Sequence, residues 1–245
     1  MILTLDFGNT FVKSAVFKDG VLKDRISFRA IDFVALEVFI QKHLPIERIL
    51  ICSVTSSPSR KWTQMLEKHA RIEFLSPSTP LPFKIAYSPP SSLGMDRIAS
   101  VAGARKIFPS SPLLIIDAGT CVKYNRVDAE GNFTGGAISP GLESRFLSLH
   151  KNTHLLPEIN IPKSLVKVVG NNTTESIQSG VLNGLLFEVE GFIHHFLETE
   201  KAGKVVVTGG ASPLLAAGLK NSIFASPNLV LVGLNEIFST HTGDI

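Results

Sequence analysis

The chain has 245 residues, of which 44% are hydrophobic and 18% are charged, and its formal net charge is +3. This composition describes a soluble globular protein that can bury a sizeable core, and it excludes a disordered arm. Lys and Arg are scattered, and the apolar runs stay short of the roughly 20 residues that cross a bilayer. We therefore predict neither nucleic acid nor a membrane as a partner.

The cysteines and the first residues favour a cytoplasmic protein. Cys52 and Cys121 lie far apart in the sequence, which gives no disulfide framework and suits a reducing compartment. The segment from Met1 to Asp6 has no basic region and reaches an acidic residue too early for a signal peptide. A cytoplasmic location is therefore predicted.

The first half of the chain alternates strand and helix patterns. Its predicted elements are strands at 2–5, 11–17 and 21–28, a helix at 33–44, a strand at 49–54, a helix ending near 69, a strand at 72–75 and a helix at 93–108. Asp19-Gly20 is a hairpin signal between the second and third strands. The prolines between residues 76 and 90 predict an irregular loop.

The second half repeats this order. Its predicted elements are strands at 113–116, 122–127 and 133–139, helices at 142–150 and 174–200, a strand at 205–208 and a helix starting near 213. Each half is thus a hairpin-rich sheet backed by helices, which defines an α/β protein. We predict two halves of near-typical domain size, at residues 1–108 and 109–245.

One turn occurs twice. Asp6-Phe7-Gly8-Asn9-Thr10 follows the first strand of the chain and Asp117-Ala118-Gly119-Thr120 follows the first strand of the second half, and Val12-Lys13 and Val122-Lys123 come soon after them. Glycine allows the backbone to approach a ligand closely, and Asp can hold a hydrated cation beside phosphate oxygens. A single such turn is weak, because these are ordinary turn residues. Two of them, facing each other, predict a clamp for a nucleoside triphosphate and its metal.

These turns and three further segments resemble the type III pantothenate kinases of the actin, heat-shock chaperone and sugar-kinase superfamily. The matching segments are Asp6 to Thr10 with Lys13, Gly94-Met95-Asp96-Arg97, Asp117 to Thr120, Gly135-Gly136-Ala137-Ile138-Ser139-Pro140-Gly141 and Thr173 to Gly180. The two Asp-Gly turns indicate only the superfamily. The Gly-x-Asp-Arg and Gly-Gly-x-Ile-x-Pro-Gly segments are far more specific.

The resemblance implies a fold and an activity. The fold would consist of two actin-like (ribonuclease H-like) halves with mixed sheets flanked by helices, assembled as a homodimer. The activity would be ATP-dependent phosphorylation of the primary hydroxyl of pantothenate, the first step towards coenzyme A. The cofactors would be Mg²⁺ or another divalent cation with ATP, and K⁺ or NH₄⁺ as a monovalent cation.

The resemblance also assigns the nucleotide site. The residues expected to bind ATP are Asp6, Phe7, Gly8, Asn9, Thr10, Phe11, Val12, Lys13 and Thr120. Asp6 would hold the divalent cation through water, and Asp117 would coordinate the monovalent cation. From the residues alone, Asp6 could merely satisfy a tight turn and Lys13 could be a solvated strand residue.

The substrate site is assigned in the same way. Asp96 would be the general base, and the residues expected to bind substrate are Tyr87, Gly94, Met95, Asp96, Arg97 and Thr173. Without the resemblance, Asp96 reads as a helix-start acid with Arg97 on a solvated face. Likewise, Tyr87 could simply pack the proline-rich loop. Thr173 has a structural role as the predicted N-cap of the following helix, and one hydroxyl could do both.

Three positions depart from the family pattern, and two other functions remain open. The departures are Ser88-Pro89 after Tyr87, Cys121-Val122-Lys123 where small or hydroxyl residues are frequent, and Ala211 where an acid is frequent. The other functions are a non-catalytic regulator with the same fold and a superfamily kinase for another small alcohol. The apolar residues of helix 174–200 spread over more than one stripe, which predicts either that this helix lies at or near a dimer interface or that it is an unusually buried helix inside a monomer.

Overall fold

Two five-stranded sheets, each in its own unit, organise the chain. The computed structural model describes residues 1–8, 11–29, 32–53 and 59–239. The first unit contains the described residues up to Pro109 together with those from Asn228 to Ser239, and the second unit spans Ser110–Pro227.

The first sheet combines a meander with two parallel strands. Its strands are β1 (Ile2–Phe7), β2 (Phe11–Lys18), β3 (Val21–Arg29), β4 (Arg48–Ser53) and β5 (Arg71–Phe74). They lie in the order β3-β2-β1-β4-β5, with β1 antiparallel to β2 and parallel to β4. Asp19 and Gly20 have φ angles of 51° and 73°, as the predicted hairpin turn between β2 and β3 requires.

Helices cover both faces of this sheet because its strands alternate apolar side chains between the two faces. Leu3, Leu5 and Phe7 of β1 pack with α1 (Phe33–Lys42) and α2 (Arg60–Leu66). Ile2, with residues of β2, packs on the opposite face against α7 (Leu229–Ser239). That helix also contacts α3 (Met95–Ile107) extensively.

The second sheet repeats the order of the first. Its strands are β6 (Leu113–Ala118), β7 (Cys121–Val127), β8 (Phe133–Pro140), β9 (Lys204–Thr208) and β10 (Phe224–Ala225). They lie in the order β8-β7-β6-β9-β10, with β6 antiparallel to β7 and parallel to β9. Its helices are α4 (Leu142–Lys151), α5 (Thr173–Thr199) and α6 (Ser212–Gly218), and α4 and α5 supply much of the core.

The predicted elements are present with ends shifted by a few residues. Besides a short 3₁₀ helix at Pro90–Ser92, one strand and one α-helix of the described residues were not predicted. The predicted end of β4 at Val54 lies outside the described residues. The additional elements are β10 and α7. Because α7 packs on α3 and the first sheet, it groups with the first unit, whereas the sequence prediction placed all of 109–245 in the second half.

The N-cap of α5 is also different from the prediction. Asn172, not Thr173, caps the helix, since its Oδ1 accepts a hydrogen bond from the Glu175 amide at 2.9 Å. Thr173 is the first helical residue. Its hydroxyl is therefore not needed for capping.

None of the helices in the described ranges has both the length and the apolar character of a membrane span.

Candidate active site

The first Asp-Gly turn lies at the carboxyl end of the central strand of the first sheet. Asp6 is half-buried and lies opposite Lys13 of β2 in the strand register. The Gly8 amide donates to the carbonyl oxygen of Phe11 at 3.1 Å, which closes the turn. Asn9 and Thr10 were also predicted to bind ATP, and they lie outside the described residues.

Two predicted ATP contacts have their side chains in the core. Val12 is fully buried, and Phe7 packs edge-on against Trp62 with 5.4 Å between the ring centres. Both belong to the apolar cluster beneath α1 and α2. Phe7 and Val12 can therefore offer a nucleotide only their backbone groups.

The second Asp-Gly turn has the same position in the second sheet. Asp117 is the penultimate residue of β6 and lies directly opposite Lys123 of β7. Lys123 Nζ donates to Asp117 Oδ2 at 3.1 Å. Thr120 is exposed at the tip of the turn, where the Gly119 amide donates to the Cys121 carbonyl oxygen at 3.1 Å.

Two glycine-containing segments press against this second turn. A Cβ atom on Gly141 would lie 2.3 Å from the carbonyl oxygen of Gly119. One on Gly209, whose φ is 92°, would lie 2.5 Å from that of Ala118. Because no side chain fits at either position, the backbones of these two segments approach the turn closely. The Gly141 amide donates to the Thr120 carbonyl oxygen at 3.1 Å and the Ala211 amide to that of Ala118 at 3.0 Å, which ties both segments to the turn.

The Gly-Met-Asp-Arg segment forms the start of α3. Gly94 is the N-cap, and Asp96 and Arg97 are only 6% and 5% exposed. A Cβ on Gly94 would lie 2.6 Å from Asp96 Oδ1, so the carboxylate rests against Gly94 and would have to shift to admit a side chain there. Asp96 thus lies in the first turn of α3, at the positive end of the helix dipole.

Arg97 does not lie on a solvated face, so that alternative is wrong. Its guanidinium carbon lies over the ring of Tyr87, 5.5 Å from the ring centre. A guanidinium over an aromatic face is a cation–π contact. The structure thus brings Tyr87, Gly94, Met95, Asp96 and Arg97 together at one place in the first unit, with Met95 half-buried beside them.

Helix α7 fixes the helix that carries Asp96, and sequence reasoning missed it. A Cβ on Gly233 would lie 1.7 Å from the Ala99 carbonyl oxygen, and one on Gly103 would lie 2.3 Å from that of Leu229. The two helices therefore touch backbone to backbone. The apolar residues of α7 do have helical spacing, which could have predicted the helix.

Thr173 lines a cavity of about 650 Å³ beside α4 and α5 in the second unit. Its polar lining residues are Arg145, Ser148, Thr173 and Ser176, and its apolar ones include Leu149, Leu156, Ile177 and Val181. Neither Asp117 nor Thr120 lines it. The cavity can receive a ligand that has both polar and apolar parts.

A hydrogen-bond network beside this cavity was also missed. Glu188 of α5 accepts hydrogen bonds from Tyr124 at 2.7 Å and Ser139 at 2.6 Å, and it forms an ion pair with Arg145. Arg145 Nε donates to the Pro140 carbonyl oxygen at 2.7 Å. The presence of Ser139 and Pro140 in the Gly-Gly-x-Ile-x-Pro-Gly segment was the available signal.

The network shifts two pKa values. Burial raises the pKa of Glu188, but the hydrogen bonds from Ser139, Arg145 and Tyr124 outweigh burial and hold it below its ordinary value. Burial, followed by the hydrogen bond to the Glu188 carboxylate, raises the pKa of the Tyr124 phenol. Tyr124 therefore stays a neutral donor and Glu188 an ionised acceptor.

Within the described part of the chain, no group of three or more His, Cys, Asp or Glu residues could hold a metal ion. A carboxylate such as Asp6 can still bind a hydrated cation whose other ligands are water and phosphate oxygens.

Sequence comparisons identify the family of this chain. A sequence profile described as type III pantothenate kinase matches residues 2–195. The type III pantothenate kinase of Christiangramia forsetii is 42% identical over 238 residues, covering 97% of each chain. That of Flavobacterium psychrophilum is 38% identical over 241 residues, covering 97% of this chain and 98% of the relative.

Solved structures are similar in fold. A Campylobacter jejuni protein described as a Baf family transcriptional activator has a TM-score of 0.63 at 18% identity, with 98% of both chains covered. A Sinorhizobium meliloti protein assigned as a 2-dehydro-3-deoxygalactonokinase has a TM-score of 0.56 at 13% identity, with 100% of both covered.

The duplicated sheets, each with an Asp-Gly turn at the end of its central strand, define the sugar-kinase and actin-like ATPase fold. The predicted fold class is thereby confirmed. Within that class, the profile match and the full-length relatives show that the chain belongs to the type III pantothenate kinase family.

Proposed function

We propose that this protein transfers the γ-phosphoryl group of ATP to the primary hydroxyl of pantothenate, giving 4′-phosphopantothenate for coenzyme A synthesis. The observation that carries the proposal is the start of α3, where a buried Asp96 rests against Gly94 and precedes an Arg97 stacked on Tyr87. Family membership supports the substrate. A cytoplasmic location belongs to the same proposal.

Asp96 would act as the general base. Its carboxylate takes the proton of the primary hydroxyl as the hydroxyl oxygen forms its bond to the γ-phosphorus. The bond from that phosphorus to the bridging oxygen of ADP breaks, and ADP leaves with the electron pair. Burial of Asp96 limits competition from water, which would otherwise accept the proton.

Arg97 and Tyr87 would orient pantothenate. The guanidinium can form paired hydrogen bonds with the substrate carboxylate or amide oxygens. Stacking on Tyr87 holds the guanidinium plane in one orientation, so fewer rotamers are lost when substrate binds. Gly94 and Met95 would contribute backbone contacts beside the same carboxylate.

Phosphoryl transfer depends mainly on positioning and charge neutralisation. The turn after β1, with Lys13, and Thr120 in the turn after β6 would donate to phosphate oxygens. A divalent cation bound with ATP would offset their negative charge, and Asp6 would hold it through water. Among the predicted ATP contacts, Phe11 is exposed at the start of β2 and could also contact the nucleotide.

The cavity at Thr173 would contribute to substrate recognition. Pantothenate carries a carboxylate and hydroxyls together with a dimethyl group, which matches the mixed polar and apolar lining. The Thr173 hydroxyl is not used for helix capping and can bind substrate. The Ser176 hydroxyl could also bind substrate, whereas that of Ser148 donates to the Arg145 carbonyl oxygen at 2.9 Å.

A homodimer is part of the proposal, but fewer residues of α5 are exposed for an interface than the sequence suggested. The apolar residues that predicted an interface on α5 are largely buried in its own unit, among them Leu182, Leu185 and Val189. What remains is an open stripe formed by Gly180, Gly184, Phe187 and Gly191 at helical spacing. Phe187 is 63% exposed, and a Cβ on any of these glycines would meet no atom within 4 Å. A second copy could approach the glycines closely and bury Phe187.

ATP turnover by purified protein tests the proposal. ADP should appear only when pantothenate is present, and other small alcohols should give little turnover. If no ADP forms with pantothenate or with any other alcohol, the result would favour a non-catalytic regulator. Turnover with a different alcohol alone would favour another superfamily kinase. Either outcome contradicts the proposal.

A further inference from the structure

The carboxylate expected to bind a monovalent cation is already paired with an ammonium group of the same chain. Lys123 Nζ lies 3.1 Å from Asp117 Oδ2. The side chains of Lys123 and Asp117 are only 22% and 15% exposed. This ion pair is therefore more shielded from solvent than an ordinary surface ion pair. Exposed surface pairs contribute little to stability.

The sheet fixes this pair. Lys123 and Asp117 face each other in the antiparallel register of β7 and β6, where opposing Cβ atoms lie close together. The neighbours of Lys123 on β7, Val122 and Tyr124, are buried in the core on the other face. Slippage of β7 would expose both of them, so the ammonium stays beside the carboxylate.

A further cation does not fit beside this pair. Potassium would need the carboxylate oxygens of Asp117, one of which already accepts a hydrogen bond from Lys123. Its charge would also be repelled by the ammonium at close range. Lysine carries a compact point charge with the same sign and the same donor group as an ammonium ion. The residues present thus disagree with the cation site that the resemblance implies.

We infer that Lys123 supplies from within the chain the positive charge that a bound potassium or ammonium ion would provide at Asp117. Phosphoryl transfer by this protein is then independent of monovalent cations, which reverses the expectation drawn from the resemblance. The effect on catalysis rests on the proposed function, but occupancy of the cation position by Lys123 does not.

The test compares cations in wild type and in variants of Lys123. Rates are measured at equal ionic strength in potassium, ammonium, sodium and tetramethylammonium chlorides. Lys123→Ala opens the position, and Lys123→Thr is a second variant that removes the ammonium but introduces a β-branched residue, which strands favour. Arg126→Ala is the matched control, because it removes an ion pair with Glu200 from the same strand.

Wild type and Arg126→Ala should have rates that agree within about twofold across the four salts, because screening is equal. Lys123→Ala should lose about tenfold or more in tetramethylammonium and regain most of it in potassium or ammonium, because the lost charge stabilises the transferring phosphoryl group. Wild type that needs potassium, or a Lys123 variant with no cation preference, overturns the inference.

Thermal unfolding without substrates gives a readout that does not depend on the reaction. Potassium should raise the Tm of Lys123→Ala by about 3 °C over tetramethylammonium, because a cation that binds only the folded state stabilises it. Wild type should show no such difference. If wild type phosphorylates no pantothenate in any salt, the proposed function fails, and the Tm comparison still decides the inference. An equal potassium shift in wild type overturns it.

Discussion

The two units share a sheet order but fix their strand-end turns differently. Three residues join β1 to β2, whereas two residues join β6 to β7. A Cβ on Gly8 would lie 3.0 Å from the Phe11 carbonyl oxygen, whereas Cβ atoms on Gly141 and Gly209 would lie only 2.3 and 2.5 Å from backbone oxygens of the second turn. The second turn therefore cannot move without moving the segments that follow β8 and β9.

Under the proposed function, the two units would contribute differently to the reaction. The second unit holds a rigid turn with its acid neutralised by Lys123, which suits fixed contacts to phosphate. The first unit adds a buried acid at the start of α3, which suits proton transfer. Substitutions in each unit should therefore affect turnover, stability and association differently.

Asp96→Asn should have the largest effect and should act on turnover alone. It keeps the shape of the side chain and removes the basic oxygen, so the rate should fall by about 10²- to 10⁴-fold. Binding of ATP and pantothenate, measured by calorimetry, should persist. The matched control is Asp32→Asn, another helix-start acid, which caps α1 through the Ala35 amide. Near-normal turnover of Asp96→Asn would exclude it as the base.

Gly141→Ala should test the rigid turn through stability. The added methyl group overlaps the Gly119 carbonyl oxygen, so we expect a loss of about 2 kcal/mol in the free energy of unfolding. Gly8→Ala should cost less, because its nearest contact is looser. Chemical denaturation measures both. Equal losses would mean that the two turns are held equally, contrary to the comparison.

Glu188→Gln should destabilise the second unit in a pH-dependent manner. Loss of the charge leaves Arg145 without its ionised partner, at a cost of about 2 kcal/mol near neutral pH. The pKa of Glu188 lies below its ordinary value of 4.5. Its stabilisation is therefore complete above that value and is lost as the pH falls through the folded-state pKa.

Denaturation curves from neutral pH into the acid range check this sign. The gap in unfolding free energy between wild type and Glu188→Gln should narrow only in acid. Glu198→Gln, an exposed acid on the same helix, should show almost no gap at any pH. A gap that widens in acid would refute the assigned shift.

Phe187→Ser should have the smallest effect on the turnover and folding of a single chain. It should, however, weaken association of the dimer. Loss of an anchor from the open stripe should raise the dimer dissociation constant by about tenfold or more. Light scattering over a dilution series measures it. Val38→Ser removes a similarly exposed apolar side chain, 64% exposed, from α1 and should leave association unchanged. A fully active monomeric wild type would exclude the dimer.

Sequence periodicity predicted most of the sheet strands because their local pattern matches their burial. The strand ends near Asp6 and Asp117 could be predicted to within two residues, since an acid followed two residues later by glycine stops an apolar run, although β1 and β6 continue to Phe7 and Ala118. The site at Asp96 came from a family motif, because its local pattern fits an ordinary helix start equally well.

What could not be predicted depends on contacts between distant residues. The packing of α7 on α3 is decided by Gly103 and Gly233, whose close approach is invisible in local periodicity. The Glu188 network joins two strands and two helices, so no single segment shows it. Asn172 and Thr173 are both residue types that cap helices. The side chain of Asn172 forms the capping hydrogen bond, so the predicted N-cap at Thr173 was wrong by one residue.

The position of the transferred phosphate shows directly whether the protein phosphorylates the primary hydroxyl of pantothenate. Purified protein is incubated with ATP, a divalent cation and pantothenate, and the product is analysed by phosphorus–proton correlation NMR. We predict a phosphate coupled to the methylene protons of the primary hydroxyl carbon, and none when that hydroxyl is replaced by hydrogen. A product phosphorylated elsewhere, or no pantothenate product at all, would contradict the account.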